Sequence, residues 1–366
     1  MIALLGRRDE PTDGVEDYCT FLGEALEKRG TELRKVRVEW AVKGWPAALQ
    51  ELRAESAEWR NEWVLLQYTA LGWSSRGFPF RALSAIRELK KSGVRVAVVF
   101  HEHSRQSEGL RRWIDRIRGA SQDWVTRRLY RNADRCIFAD PLEKIRWLQP
   151  GDAKSVFIPI GANVPAVSLT PKLESDPKET RTVAIFGVTE FPSNERDREV
   201  ADISRALRVA ADKVKLRVVF MGRGTTRAKP EIDRAFRDIP ADVSILGLLS
   251  AEEIAKNLRD ADAMLFVRGR IHLRRGSAIA GIACGLPVVG YAGAVEGTPM
   301  AEAGLVTVPH GDSDALGTAV AAVLTDTQLR RSLREKSEAA QREHFSWEAI
   351  AKAFGQALEP NLKRFG

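Results

Sequence analysis

The chain has 366 residues, with 57 Lys and Arg against 49 Asp and Glu, a formal net charge of +8, 44% hydrophobic and 29% charged residues. At roughly 100–200 residues per domain this length predicts about two domains, each able to bury a core. Its 28 Gly and 16 Pro are ordinary usage and exclude a collagen-like or wholly disordered chain. The longest apolar runs, VAVVF ending at Phe100 and AGIACGLPVVGYAGA around Cys284, fall short of the roughly 18–20 residues a membrane-spanning helix needs.

Short apolar runs alternate with stretches of helical period along the chain. The first half predicts strand Ile2–Leu5, helix Val15–Lys28, strand Leu33–Val38, helix Trp45–Glu55, strand Trp63–Tyr68, helix Ala82–Lys91 and strand Val94–Phe100. Helices Leu110–Ile117 and Asp123–Asn132, strand Arg135–Phe138, helix Pro141–Leu148 and strand Ser155–Pro159 follow. Gly161 to Lys178, with Pro165, Pro171 and Pro177 and no hydrophobic period, reads as a linker. The alternation then restarts, with strands at Thr182–Phe186, Lys215–Met221, Val243–Leu246, Ala263–Val267, Pro287–Gly290 and Leu305–Val308. Helices are predicted at Val200–Ala211, Glu231–Phe236, Ala251–Arg259, Ser277–Cys284 and Ser313–Thr325. Strands separated by helices imply parallel β-α-β units, so the expected class is α/β, with two doubly wound parallel-sheet domains facing a cleft. Ligands in such sheets bind at the carboxyl ends of the strands.

Met1 leads straight into a strand-like run with no basic n-region or long apolar segment, which predicts a cytoplasmic protein. Cys19, Cys136 and Cys284 lie more than 100 residues apart with no C-x-x-C spacing, and read as buried small apolar residues. His101 and His103 flank Glu102, but no further ligand-rich cluster accompanies them, so no metal site is expected.

Glycine stands at several strand-to-helix junctions: Gly6, Gly14, Gly187, Gly222, Gly224 and Gly276. Such junctions suit phosphate, because the backbone can approach closely and a helix N-terminus offers free N–H groups; they equally suit tight turns without a ligand. No G-x-x-x-x-G-K-[ST] is present, and Gly222-Arg223-Gly224 lacks the third glycine of G-x-G-x-x-G, which argues against a P-loop ATPase or a plain dinucleotide enzyme. From Ala261 to Gly293 a strand leads into an arginine-dense loop, Arg268, Arg270, Arg274 and Arg275, and then Gly276-Ser277 opens a small-residue helix. Ser277 can cap that helix or donate to an oxyanion, and the arginines offer forked donors to a diphosphate; a solvated loop before a core helix is the alternative.

ACGLPVVG after a helix, Gly222-Arg223-Gly224 after a strand, and SILGLLSAEEIAKNLRDADAMLF between them resemble the donor-binding half of retaining GT-B glycosyltransferases of the glycogen-synthase and mannosyltransferase-like group. Asp13-Gly14-Val15-Glu16, the strand-His step Val99-Phe100-His101, LYRNADRCIFADPLEKIRWL, FIPIGANV and FSWEAIAKAF extend that resemblance over essentially the whole chain. It implies an acceptor domain over residues 1–165, a linker over 166–180, a donor domain over 181–344, and a C-terminal helix within 345–366 that packs back towards the first domain.

The resemblance further implies transfer of a sugar from a UDP- or GDP-type donor to a glycan, a lipid-linked sugar or a small molecule, with retention and with no required metal or cofactor. Gly14 would lie beside the donor phosphates, His101 at the donor sugar, Gly187 at the end of the first strand of the donor domain, and the backbone near Gly247 and Leu248 at the nucleoside base. The family's Arg and Lys phosphate ligands would fall on Val188 and Asn194, and its Glu-x7-Glu pair on His272 and Ala280, so all four side chains differ. Arg274-Arg275-Gly276-Ser277 stands where some members carry such a stretch in place of the acidic pair. Arg223, Arg196 and Arg198 are further phosphate candidates. A GT-B-like protein that binds without catalysis is the alternative.

On the acceptor side, the loop Leu71 to Phe80 is expected to expose Trp73, Arg76 and Phe78, since aromatic faces suit sugar rings; a packed loop is the alternative. Between Arg105 and Arg146, eleven Lys and Arg face six Asp and Glu, interleaved with Trp113, Ile117, Trp124, Leu129, Tyr130 and Trp147. This stretch suits an anionic membrane surface, a lipid-linked or polyanionic acceptor, or a solvated face. No nucleic-acid recognition motif accompanies the charge.

Overall fold

The computed structural model describes residues 1–9, 12–102, 113–165 and 179–359. The chain divides into two units, one of residues 1–160 and 347 onward, the other of residues 161–346. Of the linker expected over 166–180, residues 166–178 lie outside the described residues, as does His103, and Thr180 already belongs to the first strand of the second unit.

The first unit runs β1 Ile2–Leu5, α1 Gly14–Glu27, β2 Arg34–Arg37, α2 Trp40–Lys43, α3 Trp45–Ser56, β3 Trp63–Tyr68, α4 Phe80–Lys91, β4 Arg95–Phe100, α5 Trp113–Asn132, β5 Arg135–Phe138 and β6 Ser155–Phe157. Its six strands are all parallel, in the order β2-β1-β3-β4-β5-β6. The central strands are apolar on both faces because helices cover both sides; all four residues of β1 are buried. Asp13 starts α1 by accepting from the amides of Val15 and Glu16.

The second unit runs β7 Thr180–Phe186, α6 Asn194–Ala211, β8 Lys215–Met221, α7 Lys229–Ala235, β9 Ala241–Gly247, α8 Ala251–Asp260, β10 Ala263–Arg270, α9 Gly276–Ala283, β11 Val288–Tyr291, β12 Leu305–Val308, α10 Ser313–Thr325 and α11 Thr327–Ala340. Its parallel sheet has the order β12-β11-β10-β7-β8-β9. The last helix, α12 Trp347–Leu358, returns to the first unit. Its buried residues Trp347, Ile350, Ala351, Phe354 and Leu358 recur at helical spacing. Trp347 packs against Tyr18 (ring centroids 5.2 Å apart) and Phe21 (5.7 Å) of α1, and Trp63 Nε1 donates to the Leu358 carbonyl at 2.9 Å.

Four local expectations are corrected. The two helices read over 110–117 and 123–132 are one helix over the described residues, because Gly119 is buried in it and Gln122 donates to the Gly77 carbonyl across the polar gap. The helix expected over Pro141–Leu148 is a single 3-10 turn, Leu142–Lys144; beyond it Ile145 is buried, and Trp147 lies edge-on to Tyr130 and Phe138. Helix α6 begins at Asn194, six residues before the apolar period is visible, since Ser193 caps it and both Arg196 and Glu199 turn inward. Helix α11 escaped the pattern because a charged residue, Arg330, occupies a core-facing position, where it donates to the Val323 and Leu324 carbonyls. Among the described residues, no helix is long and apolar enough to cross a membrane.

Candidate functional site

In the second unit the chain leaves β7 towards β8 and β9 on one side of the sheet, while β10, β11 and β12 extend the other side. The point where the strand order reverses therefore lies between β7 and β10, and ligands of open α/β sheets bind at the carboxyl ends of the strands flanking such a point. Gly187 follows β7, and Arg268 lies near the end of β10. Gly187 has φ +80°, and Arg268 Nη1 lies 3.2 Å from where its Cβ would stand. The positive φ favours glycine, and its missing Cβ leaves the guanidinium laid against bare backbone.

The neighbouring loops are tied into one surface. The amide of Gly187 donates to the Met221 carbonyl (2.8 Å), that of Val188 to the Arg223 carbonyl (3.1 Å), and that of Gly222 to the Gly247 carbonyl (2.6 Å). Gly224 has φ +83°, and the Val188 carbonyl oxygen lies 2.2 Å from where its Cβ would stand, so only glycine lets these two loops meet. Glu199, buried on α6, accepts from the Thr189 amide and hydroxyl, each at 2.7 Å. Burial raises the Glu199 pKa, and the Thr189 hydrogen bonds and the Arg268 charge oppose that rise. On the β10 side, Arg275 Nη2 lies 3.0 Å from where a Gly269 Cβ would stand, and its Nε donates to the Arg270 carbonyl.

The structure thus gathers Gly187, Arg223, Gly247 and Arg268 at the carboxyl edge of the second sheet, with Arg274, Arg275, Gly276 and Ser277 in the loop and helix start after β10. Leu248 follows β9 and is 55% exposed. Ser277 is not the cap of α9: Arg275 takes that position and no side chain caps the helix, because the chain turns helical one residue earlier, at Gly276. Arg196 is not a free phosphate ligand; it is buried, paired with Glu231, and donates to the Glu190 carbonyl at 3.3 Å. Val188 and Ala280 are buried apolar residues, and His272 Nδ1 accepts from the Arg274 amide. Sequence reasoning missed Phe191, an exposed aromatic in the loop after Gly187 whose ring lies 5.3 Å from the Arg227 guanidinium.

In the first unit, β1 and β3 flank the corresponding reversal. Gly14 is the first residue of α1, directly after the Asp13 cap, and Asp13 also receives Arg37 at 3.2 Å. His101, following β4, lies edge-on to Tyr18 (5.0 Å), and its Nε2 is 2.8 Å from Gln67 Oε1. The Gln67 amide nitrogen donates to the Leu65 carbonyl, which turns Oε1 towards the histidine. That arrangement assigns the proton to Nε2 and leaves Nδ1 as an acceptor. Burial lowers the His101 pKa to about 4 against a smaller opposing pull from Asp13, so the ring is neutral near pH 7. Gln67 thus holds the His101 ring, and it gave no signal in the sequence, where it is one polar residue in a buried strand.

The expectation that Trp73 is exposed is overturned: the residue is fully buried, and its Nε1 donates to the Gln67 carbonyl at 2.9 Å. Its loop is pinned from beneath, since the Gly72 carbonyl accepts from the Arg7 amide (2.7 Å) and from Trp40 Nε1 (3.1 Å). Arg76 is exposed and Phe78 half-buried, both with amides donating to Ser74 Oγ. The three cysteines are buried, and burial pushes the Cys136 and Cys284 thiols up to about 12 and Cys19 also upward.

Two Rossmann-like units built on parallel six-stranded sheets define the GT-B fold class. Residues 192–326, within the second unit, match the family described as glycosyl transferases group 1. No curated protein sequence matches the chain. Among solved structures it is similar to sucrose-phosphate synthase from Thermosynechococcus elongatus, with a TM-score of 0.68 and 19% identity over 97% of each chain. It is also similar to a glycosyltransferase from Rickettsia africae, with a TM-score of 0.66 and 14% identity over 100% of this chain and 99% of that one. A third similar structure is HepE from Anabaena in complex with UDP and glucose, with a TM-score of 0.65 and 12% identity over 98% of this chain and 99% of that one.

Proposed function

We propose that the protein is a glycosyltransferase that moves a sugar from a nucleoside diphosphate donor to an acceptor hydroxyl. The observation that carries this reading is Arg268 lying against Gly187 at the strand-order reversal of the second sheet. A guanidinium there, beside the glycine loops after β7 and β8, suits a diphosphate, because forked donors and close backbone approach both favour it. Arg275 adds charge from the next loop, and the family match over 192–326 supports the same assignment. Arginine would then supply from β10 the charge that Val188 and Asn194 lack, so the reading requires no metal.

The acceptor oxygen would bond to the anomeric carbon as the bond to the diphosphate oxygen breaks, with the acceptor proton passing to the leaving diphosphate. With retention, the protein's part is chiefly positioning and electrostatic stabilisation. Neutral His101 would accept a sugar hydroxyl hydrogen bond at Nδ1, and Arg76 and Phe78 would meet the acceptor, which is a glycan, a lipid-linked sugar or a small molecule. Calorimetric titration with UDP, GDP and ADP tests the donor site. At least one should bind, and Arg268→Ala should weaken it by about ten- to a hundredfold, the range expected for losing a charge-assisted contact. Absence of binding by all three overturns the proposal.

Buried apolar side chains at Val188 and Ala280 favour a second reading, binding without catalysis. Donor hydrolysis by the wild type that is lost in Arg275→Ala decides for the enzyme.

A further inference from the structure

We propose that the outward face of α5 docks on an anionic lipid surface. The inference rests on the first unit alone and is independent of the donor-site assignment.

The inward side of α5 carries Gly119, Val125, Thr126 and Leu129, all buried. At 100° per residue, Trp113, Ile117, Trp124 and Arg131 fall on one opposite stripe, with Arg116, Arg127 and Arg128 on its flanks. Trp113 is 74% exposed, Ile117 51% and Trp124 46%. Phe80, 48% exposed at the start of α4, lies edge-on to Trp124 at 6.1 Å and continues the apolar ridge. Arg128 stacks over Trp124 at 5.2 Å, which places a cation directly on the aromatic.

No carboxylate shares the stripe. Asp115 lies on the inward side, partly buried and paired with Arg118 at 2.9 Å, and Asp123 is half-buried on the flank. An ordinary solvated helix face mixes both signs and leaves large apolar side chains out. Here two tryptophans and an isoleucine recur at i, i+4 and i+11, with the small exposed Ala120 between them and Arg116, Arg127, Arg128 and Arg131 alongside. This is the composition of a helix lying in the plane of a membrane interface: indole and aliphatic groups enter the headgroup and acyl boundary, and arginines meet lipid phosphates. Ile117, on the same stripe, cannot stack on a base, which favours lipid over nucleic acid. The helix is already folded against the core, so docking carries no helix-forming cost.

Sedimentation of the full chain with vesicles tests the proposal. The wild type should sediment with phosphatidylcholine vesicles containing phosphatidylglycerol, less so as salt rises, and weakly with phosphatidylcholine alone. Each arginine near an anionic surface is worth roughly fivefold in partitioning, so Arg127→Gln/Arg128→Gln/Arg131→Gln should bind about a hundredfold more weakly. Trp113→Ala/Ile117→Ala should lose binding to the same vesicles while keeping the wild-type circular dichroism and melting temperature, because both side chains are exposed. Failure of the wild type to sediment overturns the proposal, as does unchanged sedimentation of both variants. Retention on DNA or RNA with no vesicle binding, or a dimer in light scattering that Trp113→Ala/Ile117→Ala dissociates, overturns it in favour of a different occupant.

Discussion

Arg268 Nη1 lies 3.2 Å from the point where a Cβ on Gly187 would stand, so the guanidinium near the end of β10 rests against the bare backbone that follows β7. Gly187→Ala would force a methyl group towards the guanidinium and hold an L-residue at φ +80°. The expected cost is roughly 1–2 kcal/mol of stability from the backbone alone, with weaker binding of nucleoside diphosphates. Denaturant unfolding and calorimetry measure the two effects separately. Unchanged affinity in a folded Gly187→Ala protein would detach Arg268 from the donor site.

Gly224 makes a stricter demand. The Val188 carbonyl oxygen lies 2.2 Å from where its Cβ would stand, and that contact is backbone, which cannot rotate away. Gly224→Ala is therefore expected to cost about 2–4 kcal/mol, combining left-handed strain and overpacking, as read by thermal melting. A loss below about 1 kcal/mol would show that the loops after β7 and β8 move apart readily.

Neutral His101 links pH to stability. Its folded pKa of about 4 lies below the ordinary value of 6.5, so the unfolded chain takes up the proton first. The contribution of the neutral ring is complete above pH 6.5 and falls away as pH drops towards 4, by an amount on the order of 2 kcal/mol. His101→Asn should flatten the stability profile within that window, and NMR titration of the ring should show a depressed midpoint. A midpoint near 6.5 would contradict the burial argument.

Trp73 and Arg76 separate packing from recognition. Trp73→Ala is expected to destabilise by about 3–5 kcal/mol, as for other buried aromatics, and also removes the hydrogen bond to the Gln67 carbonyl. Arg76→Ala, at an exposed position, should leave stability within about 0.5 kcal/mol while raising the KM for acceptor if the loop meets it. Equal melting temperatures for the two variants would refute the division.

The alternation of strands and helices was legible because central parallel strands are continuous apolar runs, as in Val94–Phe100, separated by stretches of helical period such as Ala251–Arg259. The apolar period of helix α6 starts only at Val200, six residues into the helix, and that of α11 is broken at Arg330. In both, charged residues face the core, Arg196 and Glu199 in one and Arg330 in the other, and their compensation comes from partners that hydropathy cannot show. The candidate site divides in the same way. Glycine loops and arginine density were visible as residue types, whereas the Glu199–Thr189 clamp and the Gln67–His101 bond join residues from separate elements.

Local order along the chain determined by itself the two-unit α/β architecture, the glycine turns and the arginine-rich loop before α9. Those features depend on hydrophobic period and on backbone freedom, which neighbouring residues set. Only the tertiary structure decided that Trp73 is interior, that Arg196 is consumed in an ion pair, that Arg268 covers Gly187, and that the basic stretch presents its tryptophans outward. Each of these turns on which strand ends adjoin and which helix face meets the core, and those are contacts between residues far apart in sequence.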